Sequence, residues 1–401
     1  MTKIILWGLL ARILSFFIPV KQKHWVFGSD FGKSYREGSK YLLEYIMLHH
    51  QDYTCFFVTK NKELICELEN KGIPVVYNFS IRGILTICKA DCIFTTQSIS
   101  DIFYGFRKKN RKHYYLVHGQ PFKYAAEMLP QSYRQELRTK SYLWIPQNVL
   151  DFVKKTRHYL TIGYVMQEVS FLSATSEFTA QYLQLEHRSN AIKILGMPRN
   201  DALFDDKRMR NEKWDSSFDG KFIITYMPTH RKYGRGDLSQ TPFLNRDDVQ
   251  EWMRENNVLL LVKQHPNMVH KMSKVDQTDV IKNISKSGYD PQVVIYHSDV
   301  LITDYSSVWM DYLLLRRPLI FYFYDNFEED DAGCYYNLRD EFPENYCESE
   351  DGLFKMLQKA LVDSNSLKPS EKEVLKFHKY IDNNSCKRYF KEISKEMYGE
   401  G

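Results

Sequence analysis

Residues 300–325, VLITDYSSVWMDYLLLRRPLIFYFYD, contain the pattern that decides the fold. Two short apolar runs, one at each end, enclose an apolar segment of helical length. A strand, a helix and a second strand in this order are typical of a parallel crossover unit. Polar residues fall where the first strand ends and the helix begins, and open parallel sheets bind their ligands at such positions.

The same alternation extends in both directions along the chain. Short apolar runs bounded by polar residues or glycine predict strands, and helical patterns separate several of them. Ser39 to His49 reads as one such helix, with Ser39 as a candidate N-cap. The predicted strand runs are 24–28, 55–60, 73–78, 91–96, 114–119, 222–229, 258–266, 293–298, 300–307 and 318–325. The polar stretch 205–220 divides them into two α/β halves.

Length and composition agree with this division. The 401 residues exceed what one hydrophobic core usually supports. An apolar share of 43% with 26% charged residues is ordinary for a folded soluble protein, and it excludes long disorder, collagen, coiled-coil arrays and multi-span membrane proteins. The seven cysteines are odd in number and form no CxxC pair, so we expect free thiols in a reducing cytosol and no metal site.

The net charge of +5 is unevenly distributed. Residues 1–200 contain 27 Lys and Arg against 15 Asp and Glu, a balance of +12, whereas residues 201–401 contain 28 against 35, a balance of −7. We therefore expect the first half to face an anionic partner. The basic run 107–113 is either part of that surface or a solvated loop.

The segment from Ile4 to Val20 is apolar except for Arg12 and Ser15. As a helix it would be roughly 26 Å long, short of a bilayer core of about 30 Å. Lysines flank it on both sides. This pattern favours a helix lying in the interface of an anionic membrane, with shallow insertion or an ordinary core helix as the alternatives.

Five polar clusters directly follow apolar runs. His118 and Gly119 end the run 114–119, and a histidine beside a glycine that admits a ligand suits a general base. Arg199, in LGMPRND, could meet a phosphate or pair with Asp201. Thr229 and Arg231 in YMPTHR form a plausible pyrophosphate cradle.

The last two clusters complete the set. His265 repeats the strand-end histidine in the second half and could donate to a phosphate or to a developing oxyanion. Thr303, Ser306 and Ser307 offer hydroxyl and N–H groups at the start of a helix, which is a typical anion site. Asp304 belongs to the same candidate site or caps that helix.

In this order and spacing, HGQPFK, GMPRND, PTHR, KQHP and ITDYSSVWMDYLLLRRPLIFYFYD resemble the CDP-glycerol glycerophosphotransferase family of teichoic acid and capsule synthesis. The resemblance extends from about Trp25 to Asp325. It implies an α/β, GT-B-like fold with two Rossmann-like domains facing across a cleft. The expected units are a membrane-interfacial helix (1–21), an acceptor domain (22–205), a CDP-donor domain (206–365) and C-terminal helices (366–401).

The resemblance also implies an activity. A hydroxyl of a polyprenyl-linked or polymeric acceptor attacks the β-phosphorus of CDP-glycerol, CMP leaves, and no cofactor or nucleic acid takes part. His118 would be the base, with His265 and Arg231 stabilising charge and Thr229, Thr303, Ser306 and Ser307 near the phosphates; Gly119, Arg199, Asp304 and Lys123 complete the predicted substrate-binding set. Members of the family are peripheral proteins of the cytoplasmic face of the membrane, and the resemblance implies the same location here.

The chain departs from the family pattern at Val117, Gln120 and His230, and a lysine pair is reduced to Lys123. These departures leave the acceptor, and CDP-ribitol as donor, open. A GT-B glycosyltransferase using a nucleotide sugar, a polyanion-binding module and a membrane scaffold with a degenerate site are the alternatives from other classes. Release of CMP rather than UDP or GDP would separate the first of these from a glycerophosphotransferase.

Overall fold

A computed structural model gives the structure of residues 2–102, 111–123, 169–187, 191–229, 242–264, 277–324 and 333–400. Two fully parallel sheets organise this part of the chain. The first has the strand order β3-β2-β1-β4-β5-β6-β7 and the second has the order β10-β9-β8-β11-β12-β13. Their strands are β1 His24–Phe27, β2 Thr54–Thr59, β3 Val75–Tyr77, β4 Cys92–Thr95, β5 Lys112–Tyr115, β6 Val169–Ala174, β7 Ile192–Ile194, β8 Phe222–Met227, β9 Val258–Val262, β10 Ile281–Asn283, β11 Val300–Thr303, β12 Leu319–Tyr322 and β13 Tyr346–Cys347.

Helices cover these sheets. In chain order they are α1 Thr2–Phe17, α2 Glu37–His49, α3 Lys62–Asn70, α4 Ile81–Lys89, α5 Glu177–His187, α6 Asp206–Asn211, α7 Asp247–Glu255, α8 Pro291–His297, α9 Val308–Leu313, α10 Leu338–Glu341, α11 Glu350–Val362, α12 Glu371–Phe377 and α13 Ser385–Tyr398. A 3₁₀ segment, Pro198–Phe204, follows β7. Along the chain, all strands of the first sheet precede the predicted junction 205–220, and all strands of the second sheet follow it.

Strand order reverses once in each sheet, between β1 and β4 in the first and between β8 and β11 in the second. Such switch points open a crevice at the carboxyl ends of the strands. The central strands are buried on both faces, as in Val258–Val262 and Val300–Thr303. Their near-continuous apolar sequences follow from this double burial.

Two local predictions are wrong. The run 293–298 is not a strand but most of α8, since Asp290 accepts a hydrogen bond from the Gln292 N–H and Pro291 occupies the first turn. A short buried apolar run does not by itself distinguish a strand from a helix. Ser39 is not an N-cap: α2 begins at Glu37, and the Ser39 hydroxyl donates to the Gly28 carbonyl at 2.7 Å.

The C-terminal helix α13 returns to the first sheet. It packs beside α2 and the 3₁₀ segment, and Tyr389 and Ile393 join the core that contains Trp25. Near its end, the Tyr398 hydroxyl donates to Asp91 at 2.5 Å and accepts from the Trp25 indole at 3.0 Å. One tyrosine thereby satisfies polar groups on β1 and before β4.

Helix α1 packs on α4 through one side only. Ala11 is fully buried in the core beneath α4, and Trp7, Leu10 and Leu14 pack against the same core. These three belong to the apolar surface that the sequence assigns to the membrane, so only part of that surface is available. The exposed apolar side chains of α1 are Leu6, Leu9, Ile13, Phe16 and Phe17. Within the described residues, no helix has the length and apolarity needed to cross a membrane.

Tyr398→Phe tests the link between α13 and the first sheet. The change leaves the Trp25 indole N–H and one Asp91 oxygen without this partner, so we expect a loss of about 1–3 kcal/mol in the free energy of unfolding. Urea denaturation measures it. Tyr380→Phe is the matched control and should stay within about 0.5 kcal/mol. Equal values for both variants would contradict the proposed link.

Candidate active site

His118 lies three residues beyond the end of β5, at the carboxyl edge of the first sheet. Its Nδ1 is 3.2 Å from the Thr96 carbonyl oxygen, which follows the neighbouring strand β4. A carbonyl oxygen only accepts, so Nδ1 carries the proton and donates to it. In the neutral ring this leaves the lone pair on Nε2, the arrangement that a general base needs.

The surroundings of His118 keep the ring neutral. Although the side chain is open to solvent, it lies where the two halves of the chain meet, and the resulting desolvation lowers its pKa. The negative charge of Glu37 opposes this shift, and the positive charge of Arg199 adds to it. A pKa below the ordinary value of 6.5 means that the ring is unprotonated at neutral pH.

Arg199 lies directly beneath this histidine. One Nη1 N–H donates to the His118 backbone carbonyl and another to Glu37, at 2.5 Å, while Nε donates to Asp311 at 2.9 Å. The side chain is buried; burial opposes its charge, but Asp311 and Glu37 raise the pKa of Arg199. It therefore pairs with these two carboxylates and not with Asp201, which accepts from backbone N–H groups of α13.

The two halves of the chain touch at Gly119. A Cβ at this position would lie 2.8 Å from the Ser307 hydroxyl oxygen, too close for any side chain unless the serine moves. The absence of a side chain thus brings the His118 turn and the start of α9 together. Of the predicted site residues, the structure brings together His118, Gly119, Arg199 and Ser307.

Backbone pairing strengthens this junction. The Tyr335 N–H donates to the Phe122 carbonyl at 2.9 Å, and Lys123 forms an antiparallel bridge with Cys334. Phe122 is buried and packs edge-on against Trp309 of α9. Lys123 is exposed at the end of this bridge, and its contact with a substrate stays a prediction.

Gln120, one of the departures from the family pattern, has a structural role. Its amide N–H donates to the Ser173 carbonyl at 3.2 Å, and its oxygen accepts from the Thr175 N–H at 3.3 Å. The side chain is buried. It therefore fastens the His118 turn to the carboxyl end of β6.

At the switch point of the second sheet, Asp304 accepts a hydrogen bond from the Thr229 N–H at 2.8 Å. The Thr303 hydroxyl donates to the Met227 carbonyl at 2.7 Å. These bonds join the carboxyl ends of β8 and β11. Asp304 does not cap α9, whose N-cap residue is Ser307. All three predicted residues are buried in the floor of the crevice.

Ser306 and Ser307 lie above this floor and are partly exposed. Neither hydroxyl has a hydrogen bond to another described residue, so both are available to a ligand. Arg231 and His265, the other two predicted residues of the second half, lie outside the described residues. Their roles stay predictions.

Three further residues at the site were not predicted from the sequence. Glu37 follows β1 with the left-handed backbone angle φ = 63°, which is uncommon outside glycine, and Asp311 lies on α9; both hold Arg199. Lys263 comes directly after β9. Burial lowers its pKa to about 8, with Arg36 acting in the same direction and Asp290 opposing. Lys263 could have been predicted, because it is a charged residue directly after an apolar strand.

No cluster of His, Cys, Asp or Glu suited to a metal ion occurs in the described ranges. All seven cysteines are free thiols, and burial raises the pKa of Cys55, Cys92 and Cys386. The described polar groups at the crevice are instead one histidine, several hydroxyls and buried ion pairs. This set suits proton transfer and hydrogen bonding to phosphate oxygens.

The model of one family, CDP-Glycerol:Poly(glycerophosphate) glycerophosphotransferase, matches residues 10–395. The chain belongs to this family. The predicted resemblance is therefore confirmed, and with it the enzyme class of a CDP-glycerol glycerophosphotransferase.

Among curated relatives, the teichoic acid glycerol-phosphate transferase of Staphylococcus aureus is 28% identical over 347 residues, which cover 83% of this chain and 82% of the relative. The teichoic acid poly(glycerol phosphate) polymerase of Bacillus subtilis is 22% identical over 81% of this chain. The match spans only 42% of that longer protein.

Among solved structures, the wall teichoic acid polymerase TagF superposes with a TM-score of 0.70 at 20% identity, covering 97% of this chain and 93% of that one. A structure from Listeria monocytogenes described as a UDP-N-acetylglucosamine 2-epimerase reaches 0.50 at 11% identity, covering 96% and 97%. At these identities the similarity concerns the fold alone, and it confirms the predicted GT-B-like pair of Rossmann-like domains.

Arg199→Met tests whether this guanidinium holds the crevice together. The change leaves the buried Asp311 and the partly buried Glu37 without their cation, so we expect a loss of about 3–5 kcal/mol in the free energy of unfolding. Denaturant unfolding gives the value. Arg254→Met removes an ion pair between exposed side chains and should hardly change the free energy of unfolding, because solvent screens that pair. A small loss at Arg199 would show that the pairs are dispensable.

Proposed function

We propose that the chain transfers glycerol phosphate from CDP-glycerol to a hydroxyl of a polyprenyl-linked or polymeric acceptor and releases CMP, in teichoic acid or capsule synthesis. Family membership supports the donor and the reaction class. The observation that carries the mechanism is the orientation of His118, whose protonated Nδ1 faces the Thr96 carbonyl and whose Nε2 is free to accept a proton.

In the proposed step, His118 Nε2 takes the proton of the acceptor hydroxyl. The acceptor oxygen forms a bond to the β-phosphorus of CDP-glycerol, and the bond from that phosphorus to the bridging oxygen breaks. CMP leaves with the electron pair of this bond, and a phosphodiester remains. A positioned base contributes about 10²–10⁴-fold in rate to such a reaction.

The donor would lie at the carboxyl edge of the second sheet. Ser306 and Ser307 are the described hydroxyls positioned to donate to its phosphate oxygens, because they lie beside the His118 turn. Thr303, Asp304 and Thr229 would shape the floor on which the diphosphate rests. Arg231 and His265 are proposed to neutralise its charge, as the family resemblance implies.

Ribitol phosphate is the second candidate for the transferred group. Relatives named teichoic acid ribitol-phosphate polymerase match this chain at 26% identity, close to the values for glycerol-phosphate enzymes. Incubation with CDP-glycerol and with CDP-ribitol in parallel, with the product measured by mass spectrometry, decides between them.

His118→Gln tests the base. The amide keeps a polar side chain of similar reach but cannot take the proton, so we expect kcat for CMP release from CDP-glycerol to fall by about 10²–10⁴-fold. Initial-rate assays with a lipid-linked acceptor measure it, and the free energy of unfolding should hardly change because the side chain is solvent-exposed. Near-normal turnover in the variant would remove His118 from this role.

The same assignment predicts a pH profile. Only the unprotonated ring acts as a base, so activity should be lost as pH falls through the pKa of His118. Desolvation where the two halves of the chain meet lowers that pKa, so the acid limb of kcat/KM should lie below 6.5 and be absent in His118→Gln. His50→Gln removes a histidine far from the crevice and is the control. An acid limb that persists unchanged in the His118 variant would belong to another group.

We further propose that α1 holds the enzyme on an anionic membrane surface as a peripheral protein. Its exposed apolar ridge, formed by Leu6, Leu9, Ile13, Phe16 and Phe17, is turned away from the protein core, and Phe16 is 86% exposed. The opposite side of the helix is fastened to α4 through Ala11 and its neighbours. A helix fixed in this way presents apolar side chains without needing to span the bilayer.

Ile13→Ser combined with Phe16→Ser tests the ridge. Both side chains are exposed, so folding should be unaffected, whereas binding of the full chain to vesicles of phosphatidylcholine and phosphatidylglycerol should weaken at least tenfold. Vesicle flotation measures the bound fraction. Leu48→Ser with Val362→Ser removes two equally exposed apolar side chains elsewhere and should not change it. Unchanged binding of the ridge variant would refute the membrane role of α1.

A further inference from the structure

A cavity of about 770 Å³ lies where α1 leads into β1. Its wall is built from the loop after α1, the first residues of β1 and β2, and one side of α4. His24 begins β1 and Thr54 begins β2, so the cavity lies at the amino-terminal edge of the first sheet. His118 lies at the carboxyl edge, and the cavity is therefore separate from the proposed transfer site.

Three cations border this cavity: Lys21, Arg82 and Lys89. None of its lining residues is acidic, and none of the three cations forms an ion pair with a described residue. The Lys21 N–H donates to the Lys89 carbonyl at 2.8 Å, which holds two of the cations on one wall. A concave site with several cations and no carboxylate favours an anionic ligand.

His24 adds a buried polar atom to the same wall. The residue is only 5% exposed, and its Nε2 has no hydrogen-bond partner among the described residues. Because Nε2 has no partner, we assign the hydrogen bond between the ring and the Thr86 backbone to Nδ1. Burial, together with the charges of Lys21 and Lys89, lowers the pKa of His24 to about 4, so Nε2 is a neutral acceptor at neutral pH.

An apolar surface adjoins the cavity. Phe16 and Phe17 end the exposed ridge of α1, and the chain enters the cavity wall two residues later, at Pro19. On the other rim, Ile81 lines the cavity and is 51% exposed. A ligand bound here would have its charged part among the cations and could extend an apolar part along this ridge.

We propose that this cavity holds the headgroup of an anionic glycerophospholipid. Lys21, Arg82 and Lys89 would surround its phosphate, and a headgroup hydroxyl would donate to His24 Nε2. Phosphatidylglycerol has both groups. The proposal rests on the membrane placement of α1, because the lipid would bind with its acyl chains beside the ridge. It makes the cavity a selective lipid site rather than a diffuse basic surface.

The test uses the full chain and dihexanoyl phosphatidylglycerol below its critical micelle concentration. A monomeric lipid provides no charged surface, so only a built site gives saturable binding at one lipid per chain in calorimetry. Arg82→Ala with Lys89→Ala should weaken this binding by about 30-fold. Lys355→Ala with Lys359→Ala removes the same charge from α11, on the second sheet, and should leave the affinity unchanged.

Soluble competitors identify the ligand class. The lipid should bind at least tenfold more tightly than sn-glycerol 1-phosphate or inorganic phosphate, because its chains add apolar contact. Absence of saturable lipid binding, or equal binding by the Arg82/Lys89 variant, would overturn the proposal. Equal affinity for glycerol phosphate would assign the cavity to a soluble phosphate ester. Stronger displacement by inorganic pyrophosphate than by either would assign it to a diphosphate-linked lipid.

Two further measurements separate this proposal from the one above. The ridge variant Ile13→Ser/Phe16→Ser should fail on vesicles, and it should bind monomeric lipid more weakly but still saturably, because the three cations of the cavity are intact. The Arg82/Lys89 variant should bind monomeric lipid about 30-fold more weakly and still release CMP from CDP-glycerol with a soluble acceptor at the normal rate. Loss of CMP release in this variant would show that the cavity belongs to the transfer reaction and would overturn its assignment as a separate site.

Discussion

The crevice depends on one buried guanidinium. Arg199 connects Glu37 at the start of α2 with Asp311 of α9, and it also donates to the His118 carbonyl. One side chain therefore joins the first sheet, the second sheet and the backbone of the proposed base. Because burial makes any uncompensated charge costly, these three groups hold one another in a single arrangement. The uncommon backbone angle of Glu37 is kept within this network.

The two ends of the parallel strands lie beside different candidate sites. At the carboxyl edge, loops after β4, β5, β8 and β11 assemble the crevice, since the strand ends of each sheet meet there. At the amino-terminal edge of the first sheet lie α1 and the basic cavity. The opposite ends of the strands of one sheet thus carry the proposed transfer site and the proposed membrane contact, so the two sites share no side chains.

The uneven charge of the two halves of the chain follows from which charged side chains are paired with carboxylates. The first half is basic, and the cations around the cavity have no acidic partner among the described residues, whereas buried cations such as Lys40 and Arg199 are neutralised by carboxylates. In the second half, an acidic balance is compatible with binding a diphosphate, because the proposed contacts are hydroxyls together with the local charges of Arg231 and His265. Net charge therefore reflects the surface that each half presents and not the chemistry of its crevice.

Much of this protein was predictable from sequence alone. Apolar runs separated by helical patterns predicted nine of the strands in two α/β halves, and polar residues after those runs predicted His118, Gly119 and Ser307 as site residues, because parallel sheets collect strand ends at one edge. The run 293–298 was misread because burial on all sides removes the periodicity that distinguishes a helix from a strand.

Tertiary structure alone decided which residues meet. Sequence patterns report local periodicity, whereas Glu37, Arg199 and Asp311 are far apart along the chain and come together only when both sheets pack. The same holds for α1, whose apolar residues look alike in sequence. Packing on α4 buries Ala11 and leaves Phe16 exposed, so the neighbour of the helix, and not its composition, determines which side can face a membrane.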